Sequence, residues 1–491
     1  MFEKIFKLKE NNTTVRTEIV AGLTTFMTMA YIIALNPNIL TNYGEGGQAL
    51  WNGVFLSTCI ASFVGMVCMA FLANKPFALA PGMGLNSFFA VVVANIVGIS
   101  GMSYVASFQA ALVIILAEGI VFVILSVLNI REKIVEAIPL GVRLGIAPAI
   151  GIMLMNIGFG SNVYIAETKV VEATAVDGQV FNMEVTNQFY AVKDFFGSLT
   201  ASRAKETMGT AYPSMELAVV TIFIGLFAIV ILSKKNVKGN VLIGMLIASV
   251  VHWAGQAIFL KQNPFAGLSN VSIVPPFKDM VDTTLFKFNF SGLMELGWVT
   301  VITLIITFCI IDMFDTIGTF VGTASRANML DEKGNMPKMK EALLSDSIGT
   351  IAGACTGTST VTTFVESAAG VEAGGRTGLT SLTTGLLFLS CMFFAPIAAI
   401  IPAAATSSAL VYVGILMLMG LRNINWNDLD IVVPVTLMLL VMPVSGSIGH
   451  AIGVGLISYT AIKVFSGKFK EVSVVAYIIS VLFLLKFFLA I

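Results

Sequence analysis

Ten apolar runs long enough to cross a bilayer punctuate this chain, near residues 17–40, 51–73, 104–128, 140–158, 214–232, 239–260, 297–322, 341–357, 378–396 and 403–421. A helix needs about 20 apolar residues to cross the hydrocarbon core, and lipid offers the backbone no partner outside its own helix. With 57% hydrophobic and 11% charged residues and a mean hydropathy of +0.91, against about 25% charged in soluble proteins, the chain is an all-α polytopic membrane protein. Two further segments, 77–96 and 358–375, are short and broken, and Gly446 and Gly449 divide 431–466 into two short helices. The expected total is about fourteen transmembrane segments. A last run, 471–491, carries Lys486 and reads as spanning or interfacial.

Several functional classes fall away. A formal net charge of zero argues against a nucleic-acid partner. The five cysteines lie in apolar stretches and read as small core residues, and the two histidines are isolated, so neither a metal site nor a cofactor is expected. There is no GxxxxGK[ST] phosphate loop for ATP and no HExxH zinc motif. A membrane aspartyl protease would need its carboxylates on facing helices. The chain reads as a transporter, not an enzyme.

Basic residues set the expected orientation. With the N-terminus cytoplasmic, the inner segments hold 20 of the 28 Lys+Arg, among them Arg16, Lys75, Arg131, Lys133, Lys234, Lys338 and Lys463. The short outer loops hold none, which is the positive-inside asymmetry. The outer segments are 159–213 and 261–296, and the first carries no legible motif.

Two internal similarities suggest a repeat. Phe55–Gly65 (FLSTCIASFVG) resembles Leu343–Gly353 (LLSDSIGTIAG) at an offset of 288, and Ile138-Pro139 with Gly151 resembles Ile401-Pro402 with Gly414 at 263. Seven segments per copy is an odd number, so the second copy must be inverted. Chance similarity between Leu- and Gly-rich helices is the plainer reading.

The broken segments carry the chemistry. Thr356–Gly375 reads TGTSTVTTFVESAAGVEAGG. Its first half suits a short extended piece, and Thr363 with Glu366 three residues on has the spacing of a capping box. Lys75–Ala90 (KPFALAPGMGLNSFFA) pairs an extended FALA with Pro81, Gly82, Gly84 and Asn86. Asn86 corresponds to Glu366 by the repeat, and the two half-helices would converge as in transporter midplane sites. The plainer reading is that Pro81 and the glycines kink a packed helix.

Charges inside spans are costly and need a reason. Asp312 and Asp315, three apart in WVTVITLIITFCIIDMFDTIGTFVG, share a helical face. Of the two, Asp312 is expected as the ligand and Asp315 as its structural partner. Glu366 suits a ligand as well as a cap. Glu118 reads as a buried hydrogen-bonded group. Asp346, Glu372 and Arg376 read as structural pairs at the inner face, and Asn427, Asp428 and Asp430 as a helix start. Phe77, Phe88, Phe308 or Phe364 could stack on a planar ligand.

The blocks GLTTFMTMAYIIALNPNIL, APGMGLNSFFA, DMFDTIGTFVG and TSTVTTFVESAAGVEAGGRTGLTS together resemble the AzgA-like purine permeases of the nucleobase–ascorbate/nucleobase–cation symporter group. The resemblance covers nearly the whole chain. It implies a 7+7 inverted repeat with a core domain (17–130 and 291–396) and a gate domain (131–290 and 397–466), flanked by a tail at 1–16 and an apolar segment at 467–491. It implies import of adenine, guanine or hypoxanthine with protons across the plasma or inner membrane, by an elevator-like or rocking movement. It makes Asp312, Glu366 and Asn86 purine contacts, with Phe77 and Phe364 as stacking candidates. Asp315, Glu366 and Glu118 are the proton-coupling candidates. A histidine that some uracil-transporting relatives carry on the eighth segment is absent. An anion transporter or channel of the same fold, and sodium-coupled uptake, are the alternatives. A homodimer remains open.

Overall fold

The computed structural model describes residues 2–42, 45–128, 139–160, 163–174, 180–198, 200–265, 274–326, 329, 336–364, 366–394, 400–445 and 448–488. Ile138 of the repeat, Gly446, and Arg131 and Lys133 of the charge asymmetry lie outside them.

Segment 1 is α1 (Val15–Met29) and α2 (Ile32–Leu40), parted by a turn at Ala30-Tyr31. Segment 2 is α3 (Gly47–Cys68), prolonged by a π turn at Met69–Ala73 and stopped by Asn74 in the left-handed region. Segment 3 is β1 (Leu79–Pro81) followed by α4 (Met83–Ser100). Segments 4 to 7 are α5 (Tyr104–Val127), α6 (Leu140–Phe159), α7 (Tyr212–Lys234) and α8 (Asn240–Ile258). The second half gives α9 (Trp298–Arg326) and α10 (Met339–Thr356), then β4 (Val361–Thr363) with α11 (Ser367–Glu372). It closes with α12 (Gly378–Ser390), α13 (Ala403–Leu418), α14 (Leu429–Ser445) and α15 (Ile448–Phe465). In both halves the third of seven segments is a strand followed by a helix. Eight spans among the described residues are long and apolar enough to cross a membrane.

Residues equated by the repeat meet in space. A Cβ on Gly151 would stand 2.6 Å from the Gly414 carbonyl oxygen, so α6 and α13 touch backbone to backbone. Gly65 of α3 meets α10 at Gly349, whose Cα is 3.5 Å from that hypothetical Cβ. Gly349 lies one turn before Gly353, the expected counterpart. Small residues allow such close helix approach, which supplies packing where lipid gives no hydrophobic drive.

The chain divides into two compact units. One comprises Met1–Leu154, Ser272–Ala399 and Gly414–Ile491, and holds the strand crossing described below. The other comprises Met155–Val271 and Ile400–Val413. Its outer segment is an antiparallel hairpin of β2 (Tyr164–Thr174) and β3 (Val180–Tyr190), an addition to the expected all-α chain. The second strand alternates Phe181, Met183 and Val185 with Asn182, Glu184 and Thr186, a period-two signal. Residues 175–179, outside the described ones, read AVDGQ, and Asp-Gly favours a tight hairpin turn.

The C-terminal run forms α16 (Val474–Phe488), antiparallel along α15. Thr460 and Ser480 share a hydrogen bond of 2.9 Å, and further along the two helices Phe483 and Phe487 close over Gly453. This segment therefore lies on the bundle along much of α15.

Candidate functional site

The two broken segments cross and pair. β1 and β4 are antiparallel, with Leu79 opposite Thr363, Ala80 opposite Thr362 and Pro81 opposite Val361. The pairing continues on either side: the Gly82 N–H donates to the Thr360 carbonyl at 3.1 Å and the Phe364 N–H to the Ala78 carbonyl at 3.0 Å. Each backbone group left unpaired at membrane depth would cost several kcal/mol. The crossing satisfies them with three-residue strands, which is why a threonine-rich stretch can sit there.

Three consecutive hydroxyls before β4 tie the crossing to three helices. Thr358 accepts from the Asn36 amide of α2 at 2.9 Å, Ser359 donates to the Asn86 carbonyl oxygen of α4, and Thr360 donates to Glu118 of α5 at 2.6 Å. Asn86 also donates to the Pro81 carbonyl at 3.2 Å. Asn86 and Glu118 are fully buried, and both knit the first repeat onto the second.

On the other side stands α9. The Thr316 hydroxyl lies 3.1 Å from Asp312, 3.2 Å from both carboxylate oxygens of Asp346, and 2.6 Å from the Thr362 hydroxyl of β4. Asp312 and Asp346 are fully buried, whereas Asp315 is only half-buried. Asp315 stands over the corner between β1 and α4, its Oδ2 3.8 Å from where a Cβ would stand on Gly82. Asp346 is thus buried against α9 through Thr316.

Glu366 is the N-cap residue of α11 and is half-buried. The expected capping box does not form: its side chain makes no capping bond, and the buried Thr363 hydroxyl has no partner among the described residues. The reason is that α11 begins only at Ser367, so Glu366 and not Thr363 stands at its N-cap position. Glu366 Oε1 instead accepts from the Tyr31 phenol at 2.9 Å. Since α4 begins after Gly82 and α11 after Glu366, Asn86 lies a turn inside its helix and does not occupy the place of Glu366.

The aromatic candidates are packed. Phe77 is fully buried with its ring 5.4 Å from Phe320, Phe88 lies 4.7 Å from Phe308, and Phe364 is 7% exposed. The Arg376 guanidinium donates to the Val371 and Gly375 carbonyls at the end of α11. The residues that sequence reasoning missed are Tyr31 and Glu18. Buried Glu18 accepts from the backbone of Arg376, Thr377 and Thr380 and from the Thr380 hydroxyl at 2.6 Å, capping α12. A tyrosine inside an apolar run was the available signal for Tyr31, because a buried phenol needs a partner.

The chain matches the Permease family (Xan_ur_permease) over residues 16–193 and 188–452. It belongs to that family. It is 34% identical over 487 residues to the adenine permease AdeP of Escherichia coli (strain K12), covering 99% of this chain and 96% of that protein. It is 34% identical over 488 residues to the guanine/hypoxanthine permease PbuO of Bacillus subtilis (strain 168), covering 99% and 100%. Its fold is similar to the transmembrane domain of the cyanobacterial bicarbonate transporter BicA, with a TM-score of 0.56 at 15% identity over 90% of this chain and 97% of that one. That likeness is one of fold, the 7+7 inverted repeat, in a multi-pass membrane protein.

Proposed function

We propose that this permease imports purine nucleobases together with protons, the N-terminus being cytoplasmic. The observation that carries the reading is the strand crossing with two half-buried carboxylates, Glu366 and Asp315, at its edge. It stands in a chain that matches proteins named adenine and guanine/hypoxanthine permeases along almost its whole length.

The chemistry fits a neutral, flat base with N–H donors on its rim. Carboxylates accept those N–H groups, and in a desolvated site each such bond is worth more than in water. An anion would be repelled by the same carboxylates. Glu366 and Asp315 are the half-buried carboxylates, which makes them the purine-facing pair; fully buried Asp312, bridged through Thr316 to Asp346 and Thr362, holds α9 to β4 and completes the site. Phe364, flanking Glu366, is the stacking surface; Phe77 supports it from the core. Asn86 and Glu118 fix the crossing.

A proton needs one acceptor, whereas sodium needs several oxygens in a shell. Taking a proton on Glu366 or Asp315 also lowers the cost of moving the core (17–130, 291–396) past the gate (131–290, 397–466), by an elevator-like or rocking step. The test is uptake of radiolabelled hypoxanthine into liposomes holding the purified protein. Uptake should rise when the outside is acidified, need no sodium and collapse with a protonophore. Uptake driven by a sodium gradient at symmetric pH, untouched by the protonophore, would rule out proton symport; chloride or sulfate flux without purine uptake would rule out the substrate class.

A further inference from the structure

A cavity of about 120 Å³ lies between α4, α9 and α15, in the compact unit that holds the strand crossing. Phe88, Val92 and Asn95 line it from α4, Thr300 and Leu304 from α9, and His450 from the start of α15. At roughly 10–15 Å³ per water it has room for on the order of ten small atoms, which is the size of a purine base. Its lining residues are apolar apart from Asn95, Thr300 and His450. Asn95 is exposed although it stands inside a spanning helix. Lipid leaves such an amide unpaired, so polar groups in spans face protein or water-filled space. The cavity is therefore a wet one and not a slot for an acyl chain. Phe487 of α16 holds the His450 ring in place, edge to face at 5.4 Å.

The order of residues along two helices ties this cavity to the carboxylates. On α9, Thr300 and Leu304 come first, Phe308 a turn later and Asp312 a turn after that. On α4, read back from its end, Asn95 and Val92 come first and Phe88 a turn later; Gly82, beside Asp315, stands just before its start. Phe88 and Phe308 are both buried and meet with ring centroids 4.7 Å apart. This aromatic pair lies between the cavity and the half-buried Asp315.

We propose that the cavity is a second purine subsite, an antechamber from which the base reaches Asp315 and Glu366 when the Phe88–Phe308 pair parts. The inference rests on the proposed purine transport. The faces of the base lie against Val92 and Leu304, above the floor that Phe88 makes. The Asn95 amide both donates and accepts, which suits a ring edge carrying a donor beside an acceptor; Thr300 and His450 take the remaining polar atoms. No carboxylate, lysine or arginine lines the cavity. The antechamber therefore holds the base more weakly than the carboxylates do, since hydrogen bonds to charged groups are the stronger ones.

The experiment places a reporter thiol at the open side of the cavity, Ile99→Cys, where the side chain is 64% exposed. Purified protein is labelled with a charged maleimide, and the rate is read above that of the parent with its five cysteines. Saturating hypoxanthine should slow the labelling about fivefold or more. It should do so in Glu366→Gln protein as well, where the carboxylate site is disabled. Adding Asn95→Leu should raise the hypoxanthine concentration for half protection about fivefold, the scale of one neutral hydrogen bond. If Ile99→Cys folds poorly, Thr300→Cys serves as the reporter. Protection that disappears with Glu366→Gln overturns the inference, because it then reflects closure around the carboxylates. So does a half-protection concentration unchanged within about twofold by Asn95→Leu. Labelling slowed by added phosphatidylcholine and not by hypoxanthine marks an acyl-chain site and overturns it too. Each of these outcomes leaves purine transport standing. A wild type that neither binds nor carries any purine overturns both, and that is read on the wild type without the reporter.

Discussion

At the strand crossing hydroxyls reach the carboxylates: Glu366 accepts from a phenol, Glu118 from the Thr360 hydroxyl, and Asp312 and Asp346 flank the Thr316 hydroxyl. At the ends of the last segments the company is ionic. Lys463 of α15 lies 2.7 Å from Asp430, at the start of α14, and 2.7 Å from Glu471, just before α16; Lys468 lies 3.2 Å from Asp430. The difference is one of capacity. A carboxylate paired to an ammonium has its charge cancelled and its geometry fixed, so it serves structure. A carboxylate held by hydroxyls is oriented without being neutralised, and it can still accept a proton or a ligand N–H. Both arrangements hold acid groups in an apolar protein; the hydroxyl-held one leaves the acid chemically available.

The largest effect should come from the crossing. Glu366→Gln and Asp312→Asn each remove a charged acceptor while keeping shape, and uptake should fall by a hundredfold or more, on the order of the loss of a buried charged hydrogen-bond partner. Immunoblotting of membranes should show near-normal protein. Wild-type affinity in both variants would break the comparison, because the acids there would then be structural too.

A smaller effect, of a different kind, is expected at the ionic group. Lys463→Met leaves Asp430 and Glu471 without their shared cation, in a place where the lysine side chain is 11% and the Asp430 side chain 16% exposed. Thermal unfolding in detergent should show a loss of about 1–3 kcal/mol, with the Michaelis constant for hypoxanthine unchanged within about twofold. A shifted Michaelis constant at unchanged stability would place the network in the transport cycle and erase the contrast.

Glu118→Gln sharpens the picture further. The amide oxygen still accepts from Thr360, so uptake should fall only about two- to threefold, the scale of a weakened hydrogen bond. A loss as deep as in Glu366→Gln would move Glu118 into the proton-coupling group. The least effect belongs to Lys468→Ala. Its side chain is 50% exposed, and exposed ion pairs contribute about 0–1 kcal/mol, so both melting temperature and uptake should stay close to wild type.

How much of this was legible varied with the kind of signal. Span positions followed from apolar length, and both broken segments were visible because threonines, glycines and Pro81 interrupt apolar runs at matching places. Glu366 and the Asp312/Asp315 pair were legible because a carboxylate inside a span is costly and must be used. The hairpin 164–190 was passed over although β3 carries an alternating pattern, since attention to spanning length hides a period of two. The Thr363–Glu366 spacing pointed to a capping box, but the helix begins only at Ser367, which puts Glu366 itself at the N-cap.

The sequence by itself determined that the backbone must close its own hydrogen bonds in lipid, where the chain could not be helix, and which acids required a partner. Those are local quantities: apolar length, breaker residues, charge. Only the tertiary structure decided who the partners are. Tyr31 lies 335 positions from Glu366, and Thr360 lies 242 from Glu118, distances at which no periodicity survives. Tertiary packing also separated Asp312 from Asp315, one enclosed and one half-open although they stand three residues apart on one helix. Access depends on what packs against each side chain, and here that is β4 with α10 for the first and the corner of β1 and α4 for the second.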